Sequence, residues 1–469
     1  MPKNKLISIS FEFYKTSLEI LSKTPENWLE FSAGQNTETN LKRFRTNSFF
    51  SFVRQSLGYF YFLFRSFSTK QNKIGNKDVL FFGTSNNQFT VLESIFKEQS
   101  RFSSAFVLPN NCRGSFNHTE YKDLYYVKLK LGFFFIFLVL TFRRIPKLFM
   151  LLWKTDRRLF LHRIKSFLLI YYWLIFNQAL LKDINPKILM LSNDHNPEMR
   201  VMIELCKHLQ IKTSYVQHAS VSKRFHSLDF NYSFLDGQHA LDIYMNCDKR
   251  RSPNSNIVDN RICYLVGNLR RFDIDKLEDI KHPKLGLALK GTDSIETIIN
   301  ILEKLTLLDE VIVRPHPNLN FNKIWNILKR KFKGNILLSN PKFQSASDFI
   351  NEISIFISGN STLLLEVAAA GRSSVYIEEL SDGVNDYYGF VERRVCDSYK
   401  DIDEFIDSYN KQNQHYKFVA NKGGITYFWD SYNKPYFNQE GKIVSNLLAQ
   451  IITDSSNIKL DFPHKKEVL

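Results

Sequence analysis

The chain has 469 residues, too many for one ordinary core, so two to three domains are expected. Hydrophobic content of 44% against 23% charged residues excludes a disordered polyelectrolyte. A net charge of +16 beside 42 Phe and 21 Tyr points to an anionic partner, either nucleic acid or a membrane surface.

The opening "MPKNKLISISFEFYK" carries charge but no apolar run, so no secretory leader is expected. Residues 41–77 hold eight Lys or Arg and no acid, interleaved with "FFSFVRQSLGYFYFLFRSF". Residues 124–182 hold eleven Lys or Arg and one acid, Asp156, again among Phe, Leu, Trp and Tyr. Two readings stand for both stretches. Rings and cations suit the headgroup boundary of an anionic leaflet, or the rings fill a core that the cations coat. The longest apolar run, "LGFFFIFLVLTF" at 131–142, stops at Arg143 and Arg144, short of the roughly 20 residues a spanning helix needs. The expectation is a cytoplasmic protein, peripheral on the inner face of the cell membrane, that does not cross it. No nucleic-acid recognition motif accompanies the charge, so nucleic acid is not an expected partner. The five cysteines, Cys112, Cys206, Cys247, Cys263 and Cys396, form no CxxC pair, which argues against a zinc site and a disulfide framework.

An α/β rhythm runs through the rest. "DVLFFGTSNNQFTVLESIFKE" (78–98) reads as strand, Gly-containing turn and amphipathic helix, and "KILMLSNDHNPEMRVMIELCKHLQIKTSYVQHAS" (187–220) repeats the pattern. A third series starts at "ICYLVGN" (262–268) and continues through "KLGLALK", "EVIVRPHP", "NILLS", "SIFISGNS" and "SSVYI". Apolar strands alternating with helices predict parallel sheets buried on both faces. The polar stretch "NCDKRRSPNSNIVDN" separates two such units. The predicted fold is therefore α/β, with two facing Rossmann-like doubly wound domains. The first spans 1–245 and carries the basic-aromatic helices at 41–77 and 124–182. The second spans 262–400, and a helical tail at 401–469 is expected to pack back on the first.

In such sheets ligands sit at the carboxyl ends of the strands, and the polar clusters fall there. "SIFISGNSTLLLEVAAAGRSSVYI" (354–377) ends a buried strand at Gly359, continues with Asn360, Ser361 and Thr362, and starts an apolar helix at once. Hydroxyls and free N–H groups at a helix start suit an anion. Ordinary capping is the alternative, although a cap needs one such residue and three stand here. "VIVRPHP" (311–317) ends another strand with His316 between Pro315 and Pro317, whose fixed backbone aims the imidazole. The plainer alternative is a strand terminator with a solvated histidine.

Taken in order, "VGNLRRFD" (266–273), "RPHP" and "SGNST...E....G" resemble the nucleotide-binding half of the GT-B glycosyltransferases that build bacterial surface polysaccharides. The pairing of His-Pro with Ser/Thr is similar to bacterial sialyltransferases, polysialyltransferases and capsular Kdo transferases, which use CMP-activated sugars. "SYVQHASVSKRF" resembles the Gln-His-Gly strand end shared by capsular Kdo transferases and CDP-glycerol glycerophosphotransferases. The likeness covers about residues 187–390. It implies that His316, aimed by Pro315 and Pro317, contacts the nucleotide phosphate or ribose, that Ser361 and Thr362 hold phosphate oxygens, and that Glu366 accepts from ribose hydroxyls. Gly359, Asn360 and Asn268 belong to the same donor side, and "ALKGTDS" adds Lys290, Gly291 and Thr292. Arg314 is either a second phosphate contact or a surface charge.

Two departures bear on the catalytic base. The sialyltransferases carry an acid-acid-Gly motif, and here "LDG" puts Leu235 in the first acidic place. The Gln-His-Gly pattern becomes Gln217-His218-Ala219. A base is needed because a sugar hydroxyl is a poor nucleophile until it is deprotonated. Candidates at strand ends are His218, Asp194, His195 and Asp236, and for each the alternative is a capping or core-satisfied polar group. No DxD-type pair offers a metal site, so neither metal nor cofactor is expected beyond the donor. The partners implied are a nucleotide-activated sugar, a glycan or lipid-linked acceptor, and an anionic membrane surface. Rival readings are a CDP-glycerol or CDP-ribitol polyol-phosphate transferase and a non-catalytic nucleotide-sugar-binding subunit of a polysaccharide complex.

Overall fold

The computed structural model describes residues 3–24, 48–68, 73–109, 121–155, 157–222, 225, 227–249, 261–270, 284–290, 293–316, 321–332, 335–381, 383–412, 416–453 and 465–468. Most of the strands form where short apolar runs sit between turn-formers. In the first domain they are β1 (Val79–Phe82), β2 (Ser104–Pro109), β3 (Leu124–Val127), β4 (Ile188–Leu191), β5 (Lys212–Val216), β6 (Tyr232–Leu235) and β7 (Ile262–Leu265). In the second they are β8 (Lys284–Leu289), β9 (Glu310–Pro315), β10 (Ile336–Leu338), β11 (Ile355–Ser358), β12 (Ser373–Ile377) and β13 (Asp397–Tyr399). A last strand, β14 (Lys465–Val468), returns to the first sheet.

The helices are α1 (Lys3–Lys23), α2 (Ser48–Ser66), α3 (Asn86–Phe96), α4 (Phe134–Thr155), α5 (Arg157–Ile184), α6 (Pro197–Leu209) and α7 (Gln238–Lys249), followed in the second half by α8 (Ile295–Leu305), α9 (Phe321–Phe332), α10 (Ala346–Glu352) and α11 (Leu363–Ala369). The chain ends with α12 (Ile402–Lys411), α13 (Lys422–Phe428) and α14 (Glu440–Thr453).

Among the described residues the first sheet has the order β14-β7-β6-β5-β4-β1-β2-β3 and the second β10-β9-β8-β11-β12-β13. Every neighbouring pair is parallel except β14 with β7. The inner strands are buried on both faces, and their side chains alternate between two cores. Leu80 and Phe82 pack into the core under α5, while Val79 and Phe81 pack into the one shared by α3 and α14. Likewise Leu287 and Leu289 enter one core of the second sheet and Ala288 the other. This is the two-residue period of a strand covered by helices on each side.

One expected boundary is wrong. The strand at 262–265, assigned from the sequence to the second domain, pairs with β6 (Tyr232↔Ile262) and belongs to the first sheet. The order β6, α7, β7 therefore stays within the first sheet, and the second sheet opens with β8. The last seventy residues are divided. Ile402, Phe405 and Tyr409 of α12 fill the core of the second domain, whereas α14 packs on α3 and its Ser445 hydroxyl donates to Glu98 O at 3.2 Å.

The rings of the basic-aromatic stretches divide between a buried set and an exposed set. Helix α5 has a segment, Arg163–Ile184, long and apolar enough to cross a bilayer by length and composition, yet most of it is buried. Tyr171, Tyr172, Leu174 and Phe176 lie inside the core, where Phe62 meets Tyr172 edge-on at 5.1 Å. It serves as the central helix of the first domain. Helices α2 and α4 flank it and direct a second row of rings outward.

Candidate active site

Three strand ends of the first sheet meet the second domain across one small cavity. β5 runs into Gln217 and His218, β6 into Asp236, and β7 into Asn268 and Arg270. Across from them stand Thr362 and Glu366 at the start of α11, with Trp429 just after α13. The cavity is about 20 Å³, room for a single water.

Arg270 ties the two sides together. Its guanidinium donates to the His218 carbonyl and stands 3.9 Å from Glu366 Oε1. Gln217 sets the next strand end, accepting from Asp236 N at 3.0 Å and donating to Ala219 O at 3.1 Å. Asp430 N donates to Asp236 O at 2.7 Å. A Cβ on Gly237 would lie 2.6 Å from the Phe428 carbonyl oxygen. Only glycine therefore lets the "LDG" turn and α13 approach so closely.

Burial sorts the titratable groups. It pushes the His218 imidazole down to about 4, aided by the Arg270 and His195 charges and opposed by Asp194 and the Ser192 backbone. Burial pushes Asp236 well above the usual carboxylate range, with Arg270 pulling it back and Glu440 adding to the rise. Glu366 is raised by burial as well, against the pull of Arg270 and Arg314. At neutral pH His218 is thus a neutral imidazole, while burial biases Asp236 toward its protonated form. Asp194 is buried 3.1 Å from His195 Nδ1, and both charges are felt at His218. The four base candidates therefore gather at the ends of the adjacent strands β4, β5 and β6.

The donor-side residues are more dispersed. His316 is exposed at the end of β9, where its N–H donates to Leu289 O at 2.9 Å and prolongs the β8–β9 ladder. Arg314 is not a surface charge. It is buried, donates to Ser339 Oγ and, at 3.1 Å, to Gln344 O, and lies 5.3 Å from the Phe349 ring centre. An enclosed cation needs such partners, and two of its nitrogens are already engaged. Lys290 donates through Nζ to Leu380 O, and its N–H donates to Asp293 Oδ2 at 2.6 Å. Asn268 Oδ1 accepts from Arg270 N at 3.0 Å. Pro317, Gly291 and Thr292 lie outside the described residues.

The Gly-Asn-Ser-Thr cluster divides its labour. A Cβ on Gly359 would stand 1.9 Å from Leu380 O, so glycine admits the passing chain. Asn360 donates to Ser381 O at 2.8 Å and Val384 O at 2.6 Å and accepts from Tyr387 N at 2.9 Å, stapling the 381–387 loop. Ser361 Oγ accepts from Leu363 N at 3.3 Å. Thr362 lines the cavity and makes no side-chain capping bond.

Sequence reasoning misses Arg270, because nothing in "VGNLRRFD" separates it from Arg271. It also misses a second interdomain cavity of about 590 Å³, lined by residues that include His239, Asp242, Tyr387, Arg393 and Tyr427. There Tyr427 Oη donates to Asp242 Oδ2 at 2.7 Å, and the Arg393 guanidinium sits 3.9 Å from the Tyr427 ring centre. These are single residues on helices and loops without a motif.

No family model and no curated protein matches the chain. Solved structures do. MnaA of S. aureus, determined with UDP, is 10% identical with a TM-score of 0.50, over 82% of this chain and 100% of that one. The UDP-GlcNAc 2-epimerase of Methanocaldococcus jannaschii is 13% identical with a TM-score of 0.47, over 80% and 99%. The wall teichoic acid polymerase TagF, soaked with CDPG, is 11% identical with a TM-score of 0.48, over 86% and 98%. At such identities the likeness is one of fold, and the fold is GT-B: two Rossmann-like α/β domains facing each other.

Proposed function

We propose that the chain transfers a sugar from a nucleotide donor to a surface polysaccharide, lipooligosaccharide or lipid-linked acceptor, with a CMP-activated acidic sugar such as a sialic-acid-like sugar or Kdo as the leading donor. The observation that carries this reading is the single cavity in which His218 and Asp236 oppose Thr362 and Glu366, bridged by Arg270. Environments that push an imidazole down and a carboxyl up separate a proton acceptor from a proton donor.

In this reading neutral His218 takes the proton of the acceptor hydroxyl as that oxygen bonds to the anomeric carbon. The bond from that carbon to the phosphate oxygen breaks in the same step, and the nucleotide leaves with the electron pair. Its charge falls to Arg270 and His316, with the Ser361 and Thr362 hydroxyls as further donors. Asp236, biased by burial toward its protonated form, is placed to donate a hydrogen bond. Glu366 accepts from the ribose, and Asp194 with His195 tunes His218. An arriving anion favours the imidazolium, raising His218 from about 4 toward the range where a base is effective. A cavity of about 20 Å³ admits no donor, so the domains part to load it, and the Arg270–Glu366 contact lengthens.

Melting curves with a CMP-sugar, CDP-glycerol and a UDP-sugar test the reading, since a ligand of the folded state raises the midpoint by mass action. Stabilisation by the CMP-sugar, with CMP released when a glycan acceptor is added, is the expected result. A response to CDP-glycerol alone transfers the assignment to polyol-phosphate transfer. Binding without turnover leaves a non-catalytic subunit, and silence toward every nucleotide overturns the reading.

A further inference from the structure

Helices α2 and α4 carry two apolar stripes each. The inward stripes, with Tyr59 on α2 and Phe137 and Leu140 on α4, complete the first-domain core. The outward stripes face solvent: Leu57, Phe60 and Phe64 on α2, and Phe135, Val139 and Phe142 on α4. Phe64 is 89% exposed, Phe135 73% and Phe142 70%. Rings this bare, repeating at three- and four-residue steps, mark a surface that meets an apolar phase. Between the two helices, floored by Ile164 and Leu168 of α5, runs an apolar groove of about 970 Å³.

The charge says what that phase is. Exposed Arg54 and Arg65 border the α2 stripe, and Arg143 and Lys147 border the α4 stripe. Residues 41–77 and 124–155 contain no Asp or Glu at all. A second copy seated here would bring these cations face to face. A leaflet with anionic headgroups meets the rings with hydrocarbon and the cations with phosphate, in the same plane. Arg143 and Arg144 stand in mid-helix on α4, which suits a helix lying in the interface better than one crossing it.

We propose that the α2–α4 face seats the protein on an anionic phospholipid leaflet, such as the inner face of the cell membrane, with the groove between the helices taking an acyl chain. This rests on the surface alone and stands apart from the reading of the cleft.

The test is flotation of the full chain with phosphatidylcholine vesicles, with and without phosphatidylglycerol. The wild type floats with the anionic vesicles, and added salt weakens the association, since exposed charges are screened over about 8–10 Å at physiological ionic strength. Phe60→Ser with Phe64→Ser and Phe142→Ser abolishes flotation while the melting temperature without ligand stays unchanged. Arg143→Gln with Lys147→Gln weakens anionic binding roughly 30-fold, about fivefold for each cation lost. Equal binding to neutral and anionic vesicles overturns the proposal, as does no binding to either. So does a wild-type dimer that the Phe variant converts to monomer, which would assign the face to a second copy.

Discussion

The cleft-facing strand ends of the first sheet present side chains whose proton affinities burial has displaced, His218 downward and Asp236 upward. The corresponding ends of the second sheet present groups already engaged in their own domain. Asn360 staples a loop, Lys290 reaches the Leu380 carbonyl, and Arg314 is clasped by Ser339 and Gln344. In the proposed reading the first edge moves the proton, while the second is held in shape around the residues that meet the nucleotide. Substitutions should therefore separate: rate from the first edge, binding or stability from the second.

The largest effect expected is on turnover. His218→Ala should lower kcat by roughly 10²–10⁴ with nucleotide affinity nearly intact, because a general base acts on the acceptor hydroxyl. Asp194→Ala, acting through His218, should cost less and shift the pH profile of kcat. If both variants keep full turnover, the base is neither of them and Asp236 becomes the first suspect.

Next comes the nucleotide. A hydrogen bond to a charged phosphate is worth about 1.5–3 kcal/mol, or one to two decades of affinity. His316→Ala should weaken CMP binding by that much in calorimetric titration, with no change in the melting temperature without ligand. Ser361→Ala with Thr362→Val should do likewise, and the two sets should combine non-additively because they share a ligand. Normal binding with a much lower melting temperature would make His316 a strand terminator.

The third effect is on stability against pH. His218 has a folded value of about 4 against an ordinary 6.5, so between these values the unfolded chain binds more protons. Its contribution is complete above pH 6.5 and is lost as the pH falls toward 4. Between pH 7 and 5 the wild type should lose about 2 kcal/mol relative to His218→Gln in denaturant titrations. Asp236 and Glu366, raised by burial, act in the opposite sense, which is why the difference between proteins is the quantity to measure.

The smallest is Asn360→Ala. Loss of three hydrogen bonds to the 381–387 loop should cost about 1–3 kcal/mol, with nucleotide affinity barely moved. A large loss of affinity instead would make Asn360 itself a contact to the donor.

The strands were legible in the sequence because short apolar runs between turn-formers have few alternatives, and the strand ends carried the base candidates with them. The membership of Ile262–Leu265 was not, since the loop before it looks the same whether it joins domains or strands. Nor was the division of the rings. Tyr171 and Phe176 are buried while Phe64 and Phe142 are bare, though all four sit in similar basic-aromatic strings. Which face of a helix turns inward depends on partners distant in the chain. Asn360 read as a phosphate contact because its loop partners, twenty-odd residues on, leave no mark at position 360.

The return of the chain end to the first sheet has a consequence for how the protein is made. Strand β14 pairs with β7, and α14 covers α3, so the first domain lacks an edge strand and part of a core until residues 440–468 have emerged from the ribosome. The second domain, from 284 to about 429, is by contrast contiguous and can close as soon as it is synthesised. Folding should run against the usual N-terminal-first order, with the middle of the chain settling first and the start waiting for the end. A chain truncated near residue 430 and released should then resist protease across the second domain and stay open to cleavage across the first sheet. C-terminal truncation should damage the beginning of the protein more than its middle.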